Sequence, residues 1–211
     1  MRNLILFVFS IAFASASYAT PISYFSDFES GIGSEWSPSG LPNEGGGVFT
    51  NFLGRLGNSS ATLSLSGMGA GTHNVNLTFD FYAIDSWDGE NFTWGWDYFN
   101  ISGDYNNSWT VDSFGFGNAF SFPFTVSQTG SFGFNPTWND DIYRNISIDF
   151  QVTGDALTLN FFGSGLQVIG DESWGLDNVS VTTTDVPEPS TIALLTLGLG
   201  ALGIRRRRQR H

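Results

Sequence analysis

Through the middle of the chain, apolar and polar residues alternate with a period of two. Asn74-Val75-Asn76-Leu77-Thr78-Phe79-Asp80-Phe81 puts Val75, Leu77, Phe79 and Phe81 on one face and polar side chains on the other. A β-strand with one buried face needs this pattern, because successive side chains of an extended chain point to opposite sides. Asn145-Ile146-Ser147-Ile148-Asp149-Phe150-Gln151-Val152 repeats the scheme, and after the turn Thr153-Gly154-Asp155 a further alternating run covers Ala156–Phe161. This pair is predicted to form a hairpin. Val179 and Val181 mark a last strand, and shorter ones are predicted at Ile22–Phe25, Ala61–Leu65, Tyr98–Ser102 and Trp109–Val111. No middle window sustains the i, i+3, i+4 spacing of an amphipathic helix. Glycine clusters such as Gly45-Gly46-Gly47 and Gly67-Met68-Gly69-Ala70-Gly71 punctuate the strands. Strands with one apolar face need a second layer to cover it. The expected fold is therefore all-β: a single antiparallel β-sandwich over residues 20–185, most economically a jelly roll, with no repeat and no second domain.

The two ends follow a different pattern. Met1-Arg2-Asn3 is positive, Leu4–Ala14 is apolar, and Ser17-Tyr18-Ala19 offers small residues for a peptidase. These features predict a signal peptide over residues 1–19. At the other end, Val186-Pro187-Glu188-Pro189-Ser190 is stiffened by its prolines. The apolar run Ile192–Ile204 follows, closed by Arg205, Arg206, Arg207 and Arg208. As a helix this run spans roughly 20 Å, short for a bilayer core of about 30 Å unless flanking residues and local thinning make up the difference. A single transmembrane helix over this run is expected, with the arginines on the cytoplasmic side. Gly198-Leu199-Gly200-Ala201-Leu202-Gly203 has the spacing of a dinucleotide fingerprint but lacks the preceding strand that such a site requires.

Pro187-Glu188-Pro189, the apolar run and the basic block, in that order, resemble the PEP-CTERM sorting signal of exported bacterial proteins. The resemblance covers Val186 to Arg210. It implies recognition by an exosortase-type processing enzyme and removal near the Pro-Glu-Pro. It also implies a stay at the inner membrane during processing, then a place at the cell surface or outside the cell, in an envelope that contains exopolysaccharide.

Charge narrows the candidate partners. The formal net charge is −12, and all eight basic residues are arginine. Only Arg55 and Arg144 lie between the two ends. A folded region this acidic does not bind nucleic acid, which needs clustered Lys or Arg for its phosphates. It suits divalent cations, although surface acids also serve solubility. There is no cysteine, which excludes disulfides, thiolate metal sites and thiol catalysis.

Four acids, Asp85, Asp88, Glu90 and Asp97, follow a predicted strand through a glycine-containing loop. Bunched oxygen ligands of this kind suit calcium, though the spacing is not that of an EF-hand. The other reading is an Asp-Gly turn with Trp87 packed beneath it. Two segments, Phe79–Gly89 and Asp171–Val181, resemble jelly-roll domains found ahead of such sorting tails. Similarity to carbohydrate-binding modules implies a structural calcium held by Glu29 and Asp177, with Asp27 as a further ligand, tying the domain's ends together. Trp87, Trp94 and Trp96 cluster around one loop and are candidates to stack on sugar rings, the other reading being core packing. Catalytic constellations are absent. His73, expected at the surface, has no triad around it, and neither G-x-S-x-G nor H-E-x-x-H occurs. The expectation is a non-enzymatic surface or matrix protein associated with exopolysaccharide, the first alternative being a calcium-stabilised structural or adhesive sandwich. The alternative enzyme is a glycosidase using Glu90 and Glu172.

Overall fold

The computed structural model describes residues 21–89, 95–113 and 122–187. The signal segment, Glu90, Trp94, Glu188, Pro189, the apolar run and Arg205–Arg208 lie outside these residues. Among the described residues there are twelve strands and no helix. One sheet runs in the order β3 (Asn43–Gly46), β4 (Phe49–Leu56), β12 (Glu172–Asp185), β6 (Thr72–Asp85), β10 (Asp140–Thr153), β9 (Gln128–Gly130). β1 (Ser23–Ser26) joins this sheet on β12. The other sheet runs β2 (Trp36–Ser37), β5 (Ser60–Ser66), β11 (Ala156–Ser164), β7 (Tyr98–Gly103), β8 (Asn107–Thr110). Every pairing is antiparallel. The result is the expected β-sandwich, with β1 and β12 paired so that the first and last strands run together.

The alternating faces meet between the sheets. Val75, Leu77, Phe79 and Phe81 of β6 are buried against Leu157, Leu159 and Phe161 of β11, Ile146 and Ile148 of β10, and the rings of Trp36, Phe99, Trp109 and Trp174. Phe81 and Phe99, one from each sheet, have ring centroids 4.2 Å apart. A second, smaller cluster covers the outer face of one sheet, where Phe49, Phe52, Tyr82, Ile84 and Ile142 pack with Phe132 and Phe134. Gly175 and Gly54 face each other across β12 and β4, and a Cβ on either would collide with the Phe52 ring. Their missing side chains make room for that ring.

The predicted hairpin does not form. β10 pairs with β6 and β9, and β11 pairs with β5 and β7, so the two strands belong to opposite sheets. Thr153-Gly154-Asp155 arches across the core. Gly154, at φ 120°, donates its N–H to the Gly71 carbonyl at 2.9 Å, and the Asp155 carbonyl accepts from Gly67 and Met68. Alternation says that each strand has one apolar face. It does not say whether two such strands lie side by side or face to face.

Asp80, in the middle of β6, organises both neighbouring strands. β10 bulges between Tyr143 and Ile146, and β12 bulges between Asp177 and Ser180. In each bulge an asparagine takes a left-handed conformation, Asn145 at φ 55° and Asn178 at φ 49°. Asp80 Oδ1 accepts the Asn145 backbone N–H at 2.7 Å, and Oδ2 accepts from Arg144 and from the Asn178 amide, both at 3.0 Å. A single buried carboxylate therefore holds two bulges in register. Replacing it orphans an arginine and several donors. Asp80→Ala is expected to lower stability by about 2–4 kcal/mol in urea unfolding. Asp149→Ala, on the exposed outer face, should change it by less than about 0.5 kcal/mol.

Candidate functional site

β6 ends at Asp85, which pairs with Glu172, the first residue of β12. Beyond Asp85 the chain turns through Ser86–Gly89, and Asp97 lies one residue before β7. Three carboxylates meet at this end of the sandwich. Asp88, Asp97 and Glu172 are 5%, 1% and 0% exposed, and one oxygen from each lies within 4.8 Å of the others. The segment is tightly tied. The Asp97 N–H donates to the Asp88 carbonyl at 2.9 Å, and the Asp88 N–H returns a bond to Asp97 Oδ2. The Val111 N–H donates to the Asp97 carbonyl, and the Ser113 N–H to the Trp87 carbonyl. The Trp87 indole N–H donates to the Ser173 carbonyl at 2.7 Å.

The hydrogen bonds to these acids do not use up their oxygens. Glu172 Oε2 accepts the Gln167 backbone N–H. The Gln167 side-chain nitrogen, in the orientation that satisfies the amide, donates to Glu172 Oε1 and to Asp171. Asp97 Oδ1 is buried with no partner. Burial, reinforced by the neighbouring acids, pushes Glu172 up to about 8 and Asp97 up to about 7, and it raises Asp88 as well. Among the described residues no basic side chain answers them. Arg55 binds Asp85 at 3.2 Å, Arg144 binds Asp80 at 3.0 Å, and His73 binds Asp185 at 3.1 Å. The sequence holds no lysine.

The residues predicted from sequence are distributed differently. Asp85 is the last residue of β6 rather than the first of the loop, and its carboxylate is occupied by Arg55 and the Asn135 N–H. Of the acids predicted as ligands, Asp88 and Asp97 join the three-acid group. Asp27, Glu29 and Asp177 form no such group. Both Glu29 oxygens accept from Asn51, Asp27 accepts from the Glu29 N–H, and the buried Asp177 accepts from Tyr82, Thr50 and Asn178. Trp87 is fully buried, so it packs in the core and offers no ring to a sugar. Trp96 is 47% exposed, with Tyr98 at 6.2 Å between ring centroids. Gly165, at φ 90°, comes so close to the Trp96 carbonyl that a Cβ would collide with it, which lets the β11–β12 loop lie against this segment. His73 is buried rather than at the surface. Its ring bonds Asp185 and the Gly69 carbonyl, a structural role. Glu172 had no visible signal as a partner of Asp88 and Asp97; only the strand register brings it there.

The described body is thus an antiparallel β-sandwich with an acid cluster near one end and the exposed Trp96 beside the half-buried Tyr98. The segment after it matches the model of the PEP-CTERM protein-sorting motif over residues 185–209, and the chain carries this signal. Val186 and Pro187 of the motif are described, and the Val186 N–H donates to the Thr72 carbonyl at 2.9 Å. No curated protein matches the chain. Among solved structures, dimeric latent PorU from Porphyromonas gingivalis is similar over 84% of this chain at 12% identity, with a TM-score of 0.41. The aligned region spans only 14% of that protein. The CBM22-1 xylan-binding domain of Xyn10C from Paenibacillus barcinonensis is similar over 82% of this chain and all of its own length, at 11% identity and a TM-score of 0.35.

The buried acids set a pH dependence. In the folded state Asp85 and Asp141 are pushed to about 6, Asp97 to about 7 and Glu172 to about 8, in each case first by burial. In the unfolded chain such groups titrate near 4. The folded state therefore holds these protons more tightly, and stability is lost as pH rises from about 4 through the folded values. In metal-free buffer with chelator, the urea midpoint is expected to be higher at pH 5 than at pH 8. An equal or higher midpoint at pH 8 would contradict this reading.

Proposed function

We propose that this chain is an exported envelope protein whose β-sandwich is folded cargo of the sorting tail and works without catalysis, in association with exopolysaccharide. The observation that carries the reading is where the fold stops. β12 ends at Asp185, the residue where the sorting motif begins. That strand is internal to its sheet, held by β6 on one side and by β4 and β1 on the other. Cutting near Pro187-Glu188-Pro189 therefore takes no strand from the body. Residues 1–19 are then a signal peptide, 20–185 the working domain and 186–211 the removable anchor, with Ile192–Ile204 as the membrane helix. The exosortase-type partner acts at the inner membrane, and the mature protein ends at the cell surface or outside. The strand orders β4-β12-β6-β10 and β5-β11-β7-β8, with the chain passing repeatedly between sheets, support a jelly roll.

Trp96, with the half-buried Tyr98 beside it, supplies the aromatic surface for a polysaccharide, since an exposed ring plane buries apolar sugar faces while its polar edge stays wet. Glu172 is closed off from solvent and bound to Gln167, which supports a non-enzymatic reading over a glycosidase. Two results are expected. In a host with the processing enzyme, mass spectrometry of the mature protein finds a C-terminus near residues 187–189; a mature protein still carrying Arg205–Arg208 contradicts the cargo reading. On the host's own exopolysaccharide, Trp96→Ala weakens retention about tenfold, equivalent to about 1.4 kcal/mol, at unchanged melting temperature. Equal retention removes the aromatic surface from the account.

A further inference from the structure

We infer that Asp88, Asp97 and Glu172 together bind one divalent cation of the hard, oxygen-preferring calcium class, and that this ion ties the two sheets together at their acidic end. The inference goes beyond the export reading and stands whether or not the tail is processed.

Two independent observations meet at this position. The first is the gathering of three carboxylates, each at most 5% exposed, with oxygens within 4.8 Å of one another. The second is Asp97 Oδ1, a buried carboxylate oxygen that no donor reaches. Buried polar atoms are almost always bonded, so an orphan of this kind points to a partner. Like charges this close in a dry site need a cation or a shared proton between them. Among the described residues no side-chain cation is left to serve, because Arg55, Arg144 and His73 are each bound to another acid. Asp171 adds a fourth acid beside the group, bonded through Oδ1 to Ser86, and its charge bears on all three.

The arrangement also resembles a prepared ligand shell. Asp97 and Glu172 each accept a backbone N–H on one oxygen, from Asp88 and Gln167, and such bonds hold a ligating carboxylate in one orientation. Calcium takes six to eight oxygens and accepts irregular geometry, whereas magnesium demands an octahedron and gives up its waters reluctantly. A site this thoroughly buried favours calcium.

The placement gives the ion its function. Asp88 follows β6, and Glu172 opens β12, both in the larger sheet; Asp97 precedes β7 in the other sheet. One ion would cross-link the layers where a disulfide is impossible. It would also hold Asp97, which lies between the exposed Trp96 and the half-buried Tyr98, and so fix both rings.

The test uses the purified full-length chain in detergent, stripped with chelator and then melted with and without calcium chloride. A calcium concentration about a hundred times the dissociation constant should raise the melting temperature by about 5–10 °C, because the ion binds only the folded state. Magnesium should raise it less. Metal analysis after gel filtration should find one calcium per chain. Asp97→Asn should abolish the response, and Asp149→Asn, on the exposed outer face, should keep it. If Asp97→Asn does not fold, Glu172→Gln gives the same reading. If neither folds, wild-type stoichiometry and melting decide. An unchanged wild-type melting curve means that a shared proton holds the acids together and overturns the proposal. An equal rise in wild type and Asp97→Asn places the ion elsewhere and overturns it as well.

Discussion

Two guanidinium groups are the only permanent positive charges within the described sandwich, and both are committed. Arg55 lies over the Phe134 ring at 4.3 Å and binds Asp85, and Arg144 binds Asp80. Against them stand nine buried acids: Asp80, Asp85, Asp88, Asp97, Asp112, Asp140, Asp141, Glu172 and Asp177. Removing a carboxylate from water is costly unless something nearby replaces the water. Most of these acids meet that requirement with donors. Asp140 accepts the N–H groups of Asp85 and Phe132, Asp141 accepts from Thr129, and Asp177 accepts from Tyr82, Thr50 and Asn178. At the Asp88–Asp97–Glu172 end the supply of donors runs short. That imbalance distinguishes this end from the rest of the molecule.

The same acids also shape the backbone. Asp80 sets two bulges at once, and Asp85, itself at φ 69°, receives Arg55 and the Asn135 N–H while its own N–H donates to Asp140. Long strands with apolar inner faces provide the bulk of the stability, and the buried carboxylates determine where those strands kink and stop. A domain without cysteine gains from such internal fasteners. The sorting motif starting at Asp185 is consistent with this division, since the last strand ends where the tail begins.

Much of this architecture was legible in the sequence, and the parts that were not have a common cause. β6, β10, β11 and the end of β12 stood out because each buries one face. β4 did not, because Phe49, Phe52, Leu53, Gly54 and Leu56 are buried on both sides and leave no alternation to read. The false hairpin between β10 and β11 arose because side-by-side and face-to-face strands share one local pattern. Trp87 and Trp96 look alike in sequence. One points into the core and the other is about half exposed, a difference that depends on where β6 ends and β7 begins. Asp88 and Asp97 were visible as neighbours in one loop. Glu172 joins them only through its pairing with Asp85, across a sequence gap that no local rule spans. The calcium expected at Glu29 and Asp177 came from resemblance, and there the acids are instead occupied by Asn51, Tyr82 and Thr50.

The acidic end is completed by an ion from outside, since among the described residues every basic side chain is committed to another acid. Trp87 adjoins Asp88, so a terbium ion taking calcium's place there would be excited through tryptophan. Terbium luminescence of the chelator-stripped, full-length chain tests the claim most directly. The account predicts sensitised emission that saturates at one ion per chain and is displaced by calcium. Emission that never rises above that of free terbium, or that calcium leaves untouched, would contradict it.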